Sequence, residues 1–129
     1  MSNYATENLR TLALVGHGSC GKTTLIEAML YRAGMIPEMG SIQRGTTMCD
    51  NDLLEKEVGH SIRLAVAHID TAMTDLTPVR IHILDTPGYP DYLGQDMSAL
   101  DAVKSVCAVI DPTKGPELLT RRLMAMAKE

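Results

Sequence analysis

The chain has 129 residues, 45% hydrophobic and 22% charged, a size and composition typical of one globular domain and not of a disordered chain. The formal net charge of −4 argues against a broad phosphate-neutralising surface, so direct binding to DNA is not expected. Three cysteines without paired or metal-like spacing predict a reducing, cytoplasmic setting, and the apolar runs are too short to predict any membrane span.

The first half of the chain is predicted to contain a strand, a glycine-rich loop, a helix and a long loop. Thr11–Val15 is a short apolar run stopped by Gly16, which predicts a buried strand. Apolar residues at helical spacing predict a helix over Thr23–Ala33, ended by Gly34. Residues 35–60 show little periodicity, and a loop of that length in a compact domain is usually functional or mobile.

The second half is predicted to contain a hairpin, a helix, a strand and a last helix. Alternating residues predict strands over Ile62–Ile69 and Val79–Asp85. A helix is expected over Asp91–Val103, followed by a fully buried strand over residues 105–111. The last helix is expected to begin at Gly115–Pro116, because proline is favoured at a first helical position. The inward side of the Asp91–Val103 helix is predicted to carry Tyr92, Leu93, Met97 and Leu100.

Strands that alternate with helices predict an α/β fold with a mostly parallel sheet flanked by helices on both faces. Four predicted strands are fewer than the five or six of a doubly wound sheet, and the sequence ends inside the last predicted helix. We therefore expect residues 1–129 to be a fragment of a longer protein. An exposed sheet edge is expected to promote dimerisation of this fragment.

The most specific motif directly follows the first predicted strand. Residues 16–23, GHGSCGKT, fit the pattern G-x-x-x-x-G-K-[ST], in which the glycines let main-chain N–H groups line an anion-binding nest. The helix that follows presents its positive end to the same anion, Lys22 reaches the β- and γ-phosphates, and the Thr23 hydroxyl binds Mg²⁺. A glycine-rich turn that only caps a helix would not explain the lysine and threonine together. The motif therefore predicts a site for a nucleoside polyphosphate.

Two further segments supply polar groups for the same site. Asp85 ends a predicted strand where a carboxylate can hold Mg²⁺, and Gly88 can present its main-chain N–H to a γ-phosphate. Asp-Thr-Pro-Gly is also ordinary turn chemistry. Ser61 precedes a predicted strand and can add a hydroxyl to the metal, although a serine before a strand is commonplace. The acidic residues of the long loop are predicted to be a solvated face and not metal ligands: Asp50, Asp52, Glu55 and Glu57.

Three segments occur in the order and spacing found in one family: GHGSCGKTTL, GTTMCDNDLLEKEVGHSI and ILDTPGYPDYLGQ. Over residues 12–128 the chain resembles the translational GTPases, in particular the elongation factor G family and its elongation factor G-like branch. The resemblance implies a P-loop NTPase domain that binds GTP or GDP with Mg²⁺, at the N-terminus of a multidomain protein that acts on the ribosome.

The resemblance also implies roles for individual residues. It implies that Thr23 and Ser61 bind Mg²⁺ through their hydroxyls, while Asp85 supports the metal and Gly88 senses the γ-phosphate. Lys22, Ser61 and Tyr89 occupy the catalytic positions. The implied phosphate cradle comprises Gly16, His17, Gly18, Ser19, Cys20, Gly21, Lys22, Thr23 and Thr24.

Three residues depart from the family pattern. Tyr89 stands where the family has a histidine that positions the attacking water, and a phenol of pKa about 10 is a poor proton acceptor at neutral pH. Ser61 replaces a threonine, and Ser19 replaces an aspartate that many members carry. The motifs therefore predict nucleotide binding, and Tyr89 leaves open whether the chain hydrolyses GTP.

The 129 residues contain no N-K-x-D-type segment, which in this family provides guanine selectivity after a fifth strand. We therefore expect the chain to stop before that segment, with half of the base pocket missing. Three functions remain open from the sequence. They are a ribosome-linked GTPase, a nucleotide-gated binding switch that barely hydrolyses GTP, and a P-loop ATPase or kinase.

Overall fold

The computed structural model of the chain describes residues 4–49, 53–73 and 75–128. The strands are β1 (Leu9–Val15), β2 (Ala65–Ala72), β3 (Pro78–Asp85) and β4 (Ser105–Ala108). The α-helices are α1 (Lys22–Arg32), α2 (Leu53–Val58), α3 (Leu93–Ala102) and α4 (Leu118–Met126). Short 3₁₀-helices span Thr6–Asn8, Ile42–Arg44 and Pro90–Tyr92. None of these helices has the length and apolar character needed to cross a lipid bilayer.

The four strands form one sheet in the order β2-β3-β1-β4. β1 pairs in parallel with β3 and with β4, whereas β2 and β3 form an antiparallel pair. Leu14 lies opposite Asp85, so the carboxyl ends of β1 and β3 lie side by side. The loops that follow Val15 and Asp85 therefore leave the sheet at the same edge, which is where α/β folds usually place their ligands.

Hydrophobic cores lie on both faces of the sheet, as the alternation of side chains along a strand requires. On one face, Leu14 and Ile83 pack against Ile26 and Leu30 of α1. On the other face, the buried core residues are Ala13, Val15, Leu84, Ala99 and Leu123. The sheet is thus covered by α1 on one side and by α3 and α4 on the other, as the sequence predicted.

The antiparallel pair is tied across its strands by one ion pair. Arg80 donates to Asp70 from Nε at 2.7 Å and from Nη2 at 2.8 Å, in a bidentate arrangement. These two residues are direct partners in the β2–β3 register. The guanidinium holds the pKa of the Asp70 carboxyl below its usual value.

The strand predicted to begin at Ile62 begins instead at Ala65. The N–H groups of Ile62 and Arg63 both donate to the Glu55 carboxylate at 2.9 Å. The N–H of Leu64 donates to the side-chain oxygen of Gln95 at 2.6 Å, and the Gln95 amide donates to the Ile62 carbonyl at 3.0 Å. The main chain of residues 62–64, predicted to pair in the sheet, thus forms hydrogen bonds with the side chains of Glu55 and Gln95 instead.

Two predictions for the C-terminal quarter are wrong. The strand over residues 105–111 is not fully buried, because β4 is an edge of the described sheet and leaves Ser105 and Cys107 exposed. The last helix begins at Leu118 and not at Gly115–Pro116. A turn in which the Gly115 N–H donates to the Asp111 carbonyl at 2.8 Å precedes it and delays the helix.

The inward face predicted for the third helix is also wrong in one position. Met97 is 40% exposed, whereas Asp96 and Ala99 are completely buried. The helical pattern favours the apolar methionine for the inward face, and an aspartate is rarely fully buried without a partner. Leu93 and Leu100 are half-buried and pack against the same core, as predicted.

Candidate functional site

Three loops converge at the carboxyl edge of β1 and β3. They are the segment after β1, the segment after β3, and the segment between α2 and β2. Together with the start of α1 and the 3₁₀-helix Ile42–Arg44 they enclose a cavity. Its lining residues are Ser19, Gly21, Lys22, Thr23, Ile42, Gly59, His60, Ser61, Thr86, Pro87 and Tyr89. The sequence-predicted residues Lys22, Thr23, Ser61 and Tyr89 thus meet in one place.

Lys22 is the first residue of α1, and its side chain is only 5% exposed. The ammonium donates to the carbonyls of Gly16 at 3.2 Å and His17 at 2.9 Å. It also lies 3.8 Å from the Cys20 sulfur. Within residues 4–49, 53–73 and 75–128, no carboxylate forms an ion pair with it. A buried cation whose described hydrogen-bond partners are all neutral favours an anionic ligand, because a charge without a directly bonded counter-charge is costly away from water.

Thr23, Ser61 and Asp85 form a group of oxygen donors beside Lys22. The Thr23 hydroxyl donates to the Asp85 carboxylate at 2.6 Å, and its oxygen lies 3.2 Å from that of Ser61. Thr23 and Asp85 are buried, and Ser61 is half-buried. The three oxygens come from α1, from the end of β3 and from the segment before β2.

This donor set fits Mg²⁺, which prefers oxygen ligands and usually retains several waters alongside one or two carboxylates. Hydroxyls of Thr23 and Ser61 and the carboxylate of Asp85 would hold the ion. Among the residues that the structure describes, no group of three or more histidines, cysteines, aspartates or glutamates is arranged to bind a metal. The donors of Thr23, Ser61 and Asp85 are all oxygens, so this set matches a hard cation better than a transition metal.

Gly88 is packed closely against the loop of residues 16–21, named the phosphate loop after its predicted motif. A Cβ atom at this position would lie 2.3 Å from the Gly16 carbonyl oxygen and 2.4 Å from the Lys22 ammonium nitrogen. Its φ is +77°, a conformation that favours glycine. Its N–H donates to the Asp96 carboxylate at 3.3 Å. The main chain of Gly88 is thus beside Lys22, where the sequence analysis placed a γ-phosphate sensor.

Tyr89 lies across the phosphate loop. Its hydroxyl is 3.2 Å from the Ser19 hydroxyl, and its ring covers Gly18, where an added Cβ would lie 2.2 Å from the ring. The His60 ring packs against the Tyr89 ring, with 4.5 Å between ring centroids. Tyr89 therefore contacts both neighbouring loops and closes one side of the cavity.

Three residues of the predicted cradle point elsewhere. The His17 ring is buried beside the start of α4, with Nε2 3.4 Å from the Glu117 carboxylate. The Cys20 side chain turns back toward Gly16 and the Lys22 ammonium. Thr24 is exposed and lines a separate cavity beside residues 40–43. The main chains of His17 and Cys20 remain in the loop and that of Thr24 is in α1, but none of the three side chains lines the central cavity.

Two buried glutamates near the site were not predicted. Glu27 of α1 is 1% exposed and accepts the N–H of Gly40 at 2.9 Å and the N–H of Met48. Glu55 is 5% exposed, so its predicted place on a solvated face is wrong, while Glu57 is exposed as predicted. Asp50 and Asp52 lie outside the described residues. Glu27 thus holds the main chain of the long loop, and Glu55 holds the main chain of the segment after Ser61.

Comparisons with known proteins agree with this geometry. The family model for the elongation factor Tu GTP binding domain matches residues 7–129. The tetracycline resistance protein TetM from transposon Tn1545 of Enterococcus faecalis is 36% identical over 112 residues, which cover 87% of this chain and 17% of TetM. The elongation factor G-like protein of Mycobacterium tuberculosis is 36% identical over 115 residues, covering 89% of this chain and 15% of that protein.

The crystal structure of a protein from Thermus thermophilus has the same fold, with a TM-score of 0.83 and 34% sequence identity over 92% of this chain. The match covers 17% of that protein. The α/β fold predicted from the sequence is therefore confirmed. The chain spans 17% of TetM and 15% of the mycobacterial protein, so it matches only a small part of either one's length.

Proposed function

Because this chain belongs to the elongation factor Tu GTP-binding domain family, we propose that it forms the nucleotide-binding part of a longer GTPase that works on the ribosome. Hydrolysis of GTP to GDP and phosphate would change the loops around the site and so drive a conformational cycle. The similarity to an elongation factor G-like protein and to TetM supports this proposal. A cytoplasmic location follows from the proposed partner.

The observation that carries the proposal is the Lys22 ammonium. It is buried at the start of α1, it is bonded to two carbonyls of its own loop, and no described carboxylate pairs with it. A triphosphate would supply the missing negative charge, as P-loop lysines do in general. The main-chain N–H groups of residues 16–24 would surround the same phosphates.

The proposed roles of the remaining residues follow from their positions. Thr23 and Ser61 would hold Mg²⁺ by their hydroxyls, with Asp85 supporting the metal. When bound, the metal would neutralise charge on the β- and γ-phosphates. Gly88 would donate its N–H to the γ-phosphate, and Tyr89 would lie beside the reacting phosphate as the third catalytic residue with Lys22 and Ser61.

A competition experiment tests the proposal. The full-length protein that contains this chain is titrated with a fluorescent GDP in the presence of Mg²⁺, and unlabelled GTP or ATP is then added. GTP is expected to displace the probe and ATP is not, and EDTA is expected to weaken GTP binding. Displacement by ATP alone would indicate the adenine-nucleotide ATPase or kinase that the sequence left open. No binding of GTP at millimolar concentration would overturn the proposal.

A second function, a nucleotide-gated binding switch with little hydrolysis, is favoured by Tyr89. Tyr89→His is then expected to raise ribosome-stimulated GTP turnover by about 10-fold or more, since a positioned proton acceptor contributes at least about 100-fold in many enzymes. Turnover is measured as phosphate release at saturating GTP. Tyr31→His, at an exposed site on α1, is the matched control and is expected to leave turnover unchanged. Equal turnover in the Tyr89 variant and the parent protein would argue against the switch.

A further inference from the structure

One buried carboxylate beside the site has no role in the function proposed above. Asp96 lies on the buried side of α3, three residues before the buried Ala99. It is completely removed from solvent. Burial raises the pKa of its carboxyl, while the Gly88 N–H, the Thr86 side chain and the positive charge of Lys22 act in the opposite direction. A carboxylate in such a place costs free energy, so its position calls for an explanation.

Asp96 contacts groups that, in the proposed function, would bind the γ-phosphate. Oδ1 accepts the Gly88 N–H at 3.3 Å. Oδ2 is buried and has no hydrogen-bond partner in the described part of the chain. Gly88 is packed against the Lys22 ammonium, so the carboxylate shares one small volume with the two groups that a γ-phosphate would engage.

A carboxylate oxygen and a phosphate oxygen compete for the same donors, because both are anionic acceptors of similar size. A bound GDP has no γ-phosphate and does not need the Gly88 N–H. A bound GTP needs that N–H and brings further negative charge toward Asp96, which increases the repulsion between the two anions. The hydrogen bond between Gly88 and Asp96 can therefore persist when GDP is bound, but it disfavours the binding of GTP.

We propose that Asp96 is a specificity-determining residue, whose carboxylate holds the Gly88 N–H in the absence of a γ-phosphate and thereby shifts the nucleotide preference toward GDP. This proposal rests on the proposed GTP-binding function. GTP binding requires that the Gly88 N–H leave Asp96 for the γ-phosphate. The site therefore discriminates between the two nucleotides before any hydrolysis takes place.

The test compares the affinities for GDP and for a non-hydrolysable GTP analogue, measured by fluorescence titration of the full-length protein with Mg²⁺. Asp96→Asn keeps an acceptor for the Gly88 N–H but removes the charge, and Asp96→Ala removes both. Each variant is expected to bind the GTP analogue about 10-fold more tightly relative to GDP, the size typical of losing one charged competitor. The affinity for GDP is expected to stay within about 2-fold of the parent protein.

Asp101→Asn is the matched control, because it makes the same charge change at an exposed position of the same helix. Its ratio of affinities is expected to equal that of the parent. An unchanged ratio in both Asp96 variants, with GDP and the analogue still bound, would overturn the role of Asp96 and leave the proposed function standing. So would an equal loss of both nucleotides in both variants, which would make Asp96 a structural residue. If the parent protein binds neither nucleotide, the proposed function itself fails.

Discussion

Lys22→Ala is expected to weaken binding of both GTP and GDP by about 100-fold or more, since a hydrogen bond to a charged group contributes about 1.5–3 kcal/mol and Lys22 can make more than one. The ammonium is buried and is the only described lysine in the lining of the central cavity. Its loss removes the positive charge that the phosphates would meet. The affinities are measured by fluorescence titration of the full-length protein.

The control for this variant is Lys104→Ala, which removes an exposed lysine just before β4. It changes the net charge equally and is expected to leave both affinities unchanged. Lys22 also bonds two carbonyls of its own loop, so the unfolding temperature of each variant is measured alongside. A folded Lys22→Ala protein with the parent's affinity would contradict the proposed site.

Gly88→Ala is expected to destabilise the fold by about 2–5 kcal/mol and to abolish nucleotide binding, because backbone strain adds to overpacking. The added methyl would lie 2.3 Å from a main-chain oxygen, that of Gly16, which cannot rotate away as a side chain could. Relief would require the loops after β1 and β3 to separate. The free energy of unfolding is measured by urea denaturation and nucleotide binding by titration.

Gly115→Ala separates the two causes of the Gly88 effect. Gly115 has a φ of +70°, close to the +77° of Gly88, but an added Cβ would meet nothing within 4 Å. This variant is expected to lose only about 1–2 kcal/mol, the cost of the left-handed conformation. If the two variants lose the same free energy of unfolding, steric overlap adds nothing at Gly88. That result would contradict the close approach of Gly88 to the phosphate loop.

The sequence was sufficient to place the loop between β1 and α1, because its geometry depends on neighbours in the chain. The spacing from Gly16 to Thr23 dictates a turn between a strand and a helix, and α1 begins one residue from its predicted start. Asp85 and Ser61 were also placed correctly near Thr23, as the Thr23 hydroxyl reaches both. In a motif of consecutive residues, the local backbone geometry follows from the residue types and their spacing alone.

Asp96, Glu27 and Glu55 could not be assigned from the sequence. Each is a single acidic residue whose main-chain N–H partner lies outside its own helix, at a sequence separation of 8, 13 and 7 residues respectively. An acidic residue in a helical pattern predicts a solvated face on average. Only the positions of the opposing loops show that these three carboxylates are buried.

The position of β4 at an edge of the described sheet could not be predicted from the sequence either. The run of apolar residues around Val106 predicts a strand but does not say how many neighbours it has. In the described sheet it pairs with β1 alone, and alternate residues face solvent. Burial was therefore overestimated, although the strand itself was correctly predicted.

The ion pair between Arg80 and Asp70 has a consequence at the opposite end of its hairpin. β3 ends at Asp85, and the chain enters β2 shortly after Ser61. A slip of one residue between the strands would displace one relative to the other by about 3.3 Å. Such a slip would move Asp85 away from Ala65, its partner at the start of β2. A guanidinium far from the cavity thus helps the strand register to keep the Asp85 carboxylate at the edge of the sheet where the three loops meet.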